Sequence, residues 1–156
     1  MRLVIWAALA AFVLDQASKL IVIHGMGLRE TGGIDVLPPL LRFRYGENRG
    51  INFGLFDGGS DAARWFLIGI ALAICAAVLV WVWRERMGAL ARVSAGLLVG
   101  GALANVLDRL VYGFVLDFLN MSCCGIVNPF VFNIADVAIF AGAIGLVAFT
   151  GGKKAP

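Results

Sequence analysis

Histidine is almost missing from this 156-residue chain: His24 is the only one. It has no nearby partner in the sequence, so Ser/His and Cys/His nucleophilic chemistry lack a base and a His-containing metal site lacks ligands. Cysteine is scarce too. Cys75 lies inside an apolar run and Cys123 and Cys124 are adjacent. Three thiols without CxxC spacing make neither a zinc site nor a disulfide framework, so no metal and no cofactor are expected. Charge is thin: 15% of residues are Asp, Glu, Lys or Arg and 61% are hydrophobic, where a soluble domain has about 25% charged. The net charge of +3 comes without a basic patch interleaved with aromatics, so no nucleic acid partner is expected. The composition is that of an α-helical integral membrane protein, a single membrane domain over 1–156.

Four apolar runs, at about 3–23, 63–83, 93–112 and 130–150, are each about 20 residues and long enough to span a bilayer. The first opens like a signal peptide. However, Asp15, Gln16 and Lys19 interrupt it and no small-residue cleavage site follows, so it reads as an uncleaved helix. In the second, Trp81 and Trp83 sit where an interfacial aromatic belt belongs. The tetrapeptide ending at Cys75 lies mid-span with no basic region before it, which argues against a lipidation box. The third run is dense in Ser94, Gly96, Gly100, Gly101, Ala102 and Ala104, residues that let membrane helices approach closely. Between the first two runs, about 24–61 is polar and rich in Gly and Pro. Leu41, Phe43 and Tyr45 alternate with Arg42 and Arg44, and Ile51, Phe53 and Leu55 continue the alternation after 46–50. That period of two predicts a small extracytoplasmic β-layer on the membrane surface. Ser60 and Asp61 predict the start of the second helix, and 113–129 is expected to be a short loop.

Arg2, the 84–92 loop and Lys153-Lys154 fall on one side of a four-span chain. That side is cytoplasmic by the positive-inside rule, with both termini inside. Several polar groups then converge near the outer face. Asn105, Asp108 and Arg109 share one face of the third span, and Asp117 follows it. Asn133 and Asp136, three apart, fall in the first two turns of the fourth, with Asp136 roughly 9 Å in. Asp15 and Lys19, spaced i, i+4, can pair on the first. An ionised group in hydrocarbon costs about 2.5–3.5 kcal/mol on insertion scales, so these residues are either paired or used. Asp117 and Asp136 are the pair suited to chemistry. Two close carboxylates share a proton, so one can act as base on water and the other as acid. Three other readings stand beside this one. The polar residues could be buried pairs locking the bundle, Asp108 with Arg109 foremost. The chain could be a small proton- or ion-coupled transporter subunit, though spans two and four are apolar in their inner halves. Or it could be a structural four-helix partner without chemistry.

Several stretches in order resemble one family. They are Asp15-Gln16-x-x-Lys19, Asn48-Arg49-Gly50-Ile51-Asn52-Phe53-Gly54, the run from Gly100 to Asp108-Arg109 containing Asn105, Val115-Leu116-Asp117-Phe118, and Phe132-Asn133-Ile134-Ala135-Asp136. Together they resemble lipoprotein signal peptidase (signal peptidase II), an inner-membrane aspartyl protease of bacteria. Ile51-Asn52 replaces the family's usual small pair, and Ala104 stands where Gly is common. The resemblance implies Asp117 and Asp136 as the catalytic pair. It implies Asn48, Asn105, Asp108, Arg109 and Asn133 as orienting residues, with Asp15, Gln16 and Lys19 in support. The implied substrate is a prolipoprotein whose cysteine already carries diacylglycerol, cleaved just before that cysteine near the periplasmic face. Membrane lipids are the surroundings, and the protein is expected to act as a monomer.

Overall fold

The computed structural model of the chain describes residues 1–50, 61–123 and 128–150. Expectations that involve Ile51, Asn52, Phe53, Gly54, Leu55, Ser60, Cys124, Lys153 and Lys154 lie outside the described residues.

Among the described residues, three helices are long and apolar enough to cross a membrane. The first is α1 (Arg2–Lys19), prolonged by one turn of π-helix over Leu20–Gly25. The others are α3 (Asp61–Arg84) and α4 (Ala89–Tyr112). A short helix, α2 (Leu28–Thr31), follows the first, and the last helix, α5 (Ile134–Thr150), is apolar and 17 residues long. The apolar sequence before α5 is therefore not all helix. Phe130, Val131 and Phe132 lie outside the helix, so Asp136 lies in the first turn of α5 and not in its second.

α4 is the central element. It packs against α1, α3 and α5, and most of its residues are buried, whereas α3 buries only Ile68, Cys75 and Val82. Small side chains make this possible. A Cβ on Gly100 would overlap the backbone of Ala8 in α1. A Cβ on Gly101 would lie 2.5 Å from the carbonyl oxygen of Ala135. The two glycines, adjacent in sequence, thus allow α1 and α5 to touch neighbouring sides of α4 backbone to backbone. Gly113 ends α4 with φ of +85°, its N–H donating to the Arg109 carbonyl at 3.1 Å. That left-handed cap turns the chain sharply out of the helix.

Three antiparallel strands form one sheet in the order β1 (Gly33–Leu37), β2 (Leu41–Asn48) and β3 (Val115–Met121). The third strand falls where the sequence predicts a short loop. Gly46 stands opposite Asp117 and Asn48 opposite Val115, with an irregularity between Phe43 and Gly46. On its other side β3 is bridged by Phe132: the Leu119 N–H donates to the Phe132 carbonyl at 2.8 Å and the Phe132 N–H to the Leu119 carbonyl at 2.9 Å. The Asn120 amide secures the same segment, donating at 2.8 Å to the carbonyls of Asn128 and Phe130. β3 is therefore flanked on both sides, and its Val115, Leu116, Asp117 and Phe118 are all buried. Val22, Ile23 and Leu28 join Leu116 and Phe118 in the apolar cluster that seats the sheet on the end of α1.

Candidate active site

Asp117 sits on β3 at 3% exposure, two residues past the Val115 that faces Asn48. Asp136 is the third residue of α5 and half-buried. Asn133, fully buried, joins them. Its Oδ1 accepts the Asp136 N–H at 2.9 Å, and Asp136 Oδ2 accepts the Asn133 N–H at 3.3 Å. This reciprocal exchange is a capping box built from Asn and Asp, and it starts α5 at this point. The Asn133 Nδ2 donates to Asp117 Oδ1 at 2.6 Å, with longer contacts to Asn105 Oδ1 at 3.3 Å and the Leu116 carbonyl at 3.4 Å. Asn105, on α4, donates its Nδ2 to Asp136 Oδ1 at 2.9 Å. The two aspartates are thus tied through a pair of amides, Asn133 and Asn105, that contact each other.

Burial pushes the Asp117 carboxyl up from its ordinary 3.8 to about 7, and the neighbouring Asp136 adds to the rise. Hydrogen bonds from Asn133 and Asn48, and the Lys19 charge, act against it. Asn48 turns its own Oδ1 to the Gly50 N–H at 3.1 Å, which leaves its amide for Asp117.

Behind the pair lies an ion triad. Lys19 Nζ donates to Asp15 Oδ2 at 2.6 Å and to Asp108 Oδ2 at 2.7 Å, and the three side chains are at most 3% exposed. Gln16 Nε2 donates to Asp108 Oδ1 at 2.9 Å. The carboxylates also reach out of their helices. Asp108 Oδ2 accepts the Leu116 N–H at 3.0 Å and Asp15 Oδ1 accepts the Ala135 N–H at 2.8 Å. Nothing in the sequence points to these two main-chain partners; the i, i+4 spacing of Asp15 and Lys19 signals only their own pairing.

The expected pairing of Asp108 with Arg109 does not form. Residues one apart on a helix do not face each other. Asp108 turns to Lys19, while Arg109 Nη1 donates to the Asn105 carbonyl at 3.3 Å, with Asp136, Asp108 and Asp117 close enough to act on its charge. Among the described residues, no group of three His, Cys, Asp or Glu side chains could hold a metal ion. The buried charged side chains among them, Asp15, Lys19, Asp108 and Asp117, all gather at one end of the bundle. A through-membrane ion path would need others along its length.

Comparison with known proteins bears on this geometry. The family described as Signal peptidase (SPase) II matches residues 7–150. The chain belongs to the signal peptidase II family. A lipoprotein signal peptidase of Methylorubrum extorquens is 43% identical over 141 residues, covering 90% of this chain and 81% of that protein. One of Methylocella silvestris is 38% identical over 162 residues, covering 97% and 93%. A bacterial membrane enzyme solved by the in meso method at 1.9 Å superposes with a TM-score of 0.81 at 26% identity, covering 97% of this chain and 94% of that one. The protein is accordingly a bacterial, membrane-embedded aspartic protease of the signal peptidase II family, and the transporter reading finds no support.

Proposed function

We propose that Asp117 and Asp136 are the catalytic pair of an endopeptidase that removes the signal peptide from diacylglyceryl-modified prolipoproteins, cutting just before the lipidated cysteine. The observation that carries the reading is the bridging of the two carboxylates by Asn133 and Asn105. Two aspartates tied through shared amides, one of them with its carboxyl raised to about 7, form a unit that holds one proton near neutral pH.

The chemistry follows from that proton count. A water between the carboxylates gives a proton to Asp136 as its oxygen adds to the peptide carbonyl carbon, and Asp117 gives its own proton to the carbonyl oxygen. The tetrahedral intermediate is neutral. It collapses when Asp136 passes its proton to the leaving nitrogen of the cysteine and Asp117 takes back a proton from a hydroxyl. The C–N bond breaks, and the pair returns to its starting state without a metal or a covalent intermediate.

The orienting residues divide the remaining work. Asn133 and Asn105 hold the carboxylates, Asn48 faces Asp117 from β2, and Arg109 supplies positive charge beside them. The working unit in this reading is a monomer. α5, at 17 residues, rises about 25 Å and serves as a fourth span. With four spans the basic residues Arg2, Arg84, Arg86 and Arg92 lie together at the end away from the site, which supports a cytoplasmic placement for both termini and a periplasmic one for the aspartates.

The test uses purified protein and a diacylglyceryl-modified prolipoprotein, with cleavage read as a mobility shift. Asp117→Asn and Asp136→Asn should each abolish cleavage while the protein stays folded. Cleavage retained in both would end the assignment. Equal rates on lipidated and unlipidated substrate would remove the diacylglycerol from the recognition.

A further inference from the structure

We propose that the Asp15, Lys19 and Asp108 triad is a positioning device that sets the separation of the two catalytic aspartates through the peptide N–H immediately before each one. The proposal rests on the assignment of Asp117 and Asp136 as the reacting pair and adds how their spacing is held.

The connection is unbroken and short. Asp108 Oδ2 accepts the N–H of Leu116, the residue before Asp117, at 3.0 Å. Asp15 Oδ1 accepts the N–H of Ala135, the residue before Asp136, at 2.8 Å. Lys19 joins the two carboxylates at 2.6 and 2.7 Å. The path from one reacting residue to the other therefore runs through two main-chain hydrogen bonds and one bifurcated ion pair. It is dry: Asp15 and Asp108 are 0% exposed and Lys19 is 3% exposed. The carboxylates of Asp15 and Asp108 meet the peptide groups beside the catalytic pair, so their influence passes through the backbone.

The geometry also explains why all three charges are needed. The Ala135 N–H lies in the first turn of α5 and has no partner within its own helix, and Asp15 fills that role from α1. Asp108 ties the Leu116 N–H to α4, the helix that also carries Asn105. Without Lys19 the two carboxylates would repel each other across a desolvated gap, and both peptide ends would move with them. A displacement of about 1 Å between reacting groups costs about 100-fold in rate. Gln16, donating to Asp108 Oδ1 at 2.9 Å, keeps the Asp108 side chain turned toward Leu116 and Lys19.

Asp108→Ala, Asp108→Asn, Lys19→Met and Gln16→Leu should be compared with the unaltered protein on lipidated prolipoprotein, with kcat, KM and thermal unfolding measured on each. Asp108→Ala and Lys19→Met should each lower kcat about 100-fold with KM within twofold. Asp108→Asn should stay within about tenfold of the unaltered kcat, because its amide oxygen still accepts from both Leu116 and Lys19. Should the Ala or Met variant fail to fold, Gln16→Leu, which leaves the ion pairs in place, should still lower kcat several-fold at unchanged KM. Unchanged kcat in all folded variants, with only the unfolding temperature reduced, would overturn the proposal. So would an Asn variant as inactive as the Ala variant, or a rise in KM alone. Asp117→Asn in the same assay separates the two assignments, since cleavage by that variant would sink the catalytic pair instead.

Discussion

Replacing Asp117 by Asn should abolish cleavage and, above neutral pH, stabilise the protein. The buried carboxyl is raised from its ordinary 3.8 to about 7. In the unfolded chain it ionises near its ordinary value. Between those two pH values the folded state holds a proton that the unfolded state has lost, so stability falls as pH rises. The favourable contribution of the protonated form is complete below pH 3.8 and gone above about 7. At 1.36 kcal/mol per pH unit the difference is about 4 kcal/mol. The substituted amide would not titrate, and its oxygen would still accept the Asn133 Nδ2–H that now meets Asp117 Oδ1 at 2.6 Å. The titrating groups remote from the pair are common to both proteins and cancel. Unfolding in detergent micelles, followed by tryptophan fluorescence at about pH 4, 6 and 8, should show the variant gaining on the unaltered protein. The gain should total about 4 kcal/mol across the series, on the order of 10 °C in Tm. A difference between the two proteins that stays flat across that range would refute the account of Asp117 as a buried, proton-holding acid.

Three further outcomes are expected. The rate of cleavage should decline above pH about 7 as the pair loses its shared proton, and a profile flat to about pH 9 would contradict a reacting group raised to that value. Gly101→Val should cut kcat about 100-fold by pushing on the Ala135 carbonyl beside Asp136, while Gly69→Ala, whose added carbon meets nothing within 4 Å, should be silent. Asn133→Ala should lose about 1 kcal/mol of capping energy. It should also move the alkaline limb to higher pH, because the Asn133 hydrogen bond lowers the Asp117 value; a limb that moves down or stays put in a pH–rate series would count against the bridge.

The residues proposed for the chemistry are easier to find in the sequence than the architecture that holds them. Asp117 and Asp136 stand out because the chain lacks other means, having one histidine and no nucleophile with a base. The face shared by Asn105 and Asp108 is readable from helical spacing. β3 is not. Val115, Leu116, Asp117 and Phe118 are buried on both sides, so no alternation marks them as a strand, and their partner β2 lies about seventy residues earlier in the chain. The start of α5 is hidden for a different reason. Phe130, Val131 and Phe132 are as apolar as the helix that follows, and hydropathy does not register an end. The boundary is written instead in Asn133 and Asp136, whose spacing is that of a capping box. Adjacency suggests Arg109 as the partner of Asp108, yet the residue that pairs with it, Lys19, is 89 positions away. Local spacing has no access to that contact.

The arrangement turns two identical side chains into unlike ones. Asp117 is on a buried strand; Asn133 and Asn48 donate to it, but burial outweighs them and its proton is retained to about pH 7. Asp136 is at the N-terminus of a helix, where one carboxylate oxygen accepts a peptide N–H from Asn133 and the other accepts an amide from Asn105. A helix start offers main-chain donors and partial positive charge to a carboxylate, whereas Asp117 depends on the side chains of Asn133 and Asn48 for its donors. The acid and the base of the proposed reaction are thus set by the elements that carry them, and Asn133 is where those elements meet. It caps α5, holds Asp117 and touches Asn105. An Asn133→Asp substitution is therefore the most severe single test of the arrangement. It would place a third carboxyl against Asp117 and replace a donor by an acceptor at 2.6 Å. It would keep the helix cap, since Asp caps as well as Asn. Helix content and Tm at about pH 4 should stay near those of the unaltered protein while cleavage is lost at every pH. Measurable cleavage by this variant would mean that the Asn133 amide does not hold the reacting pair.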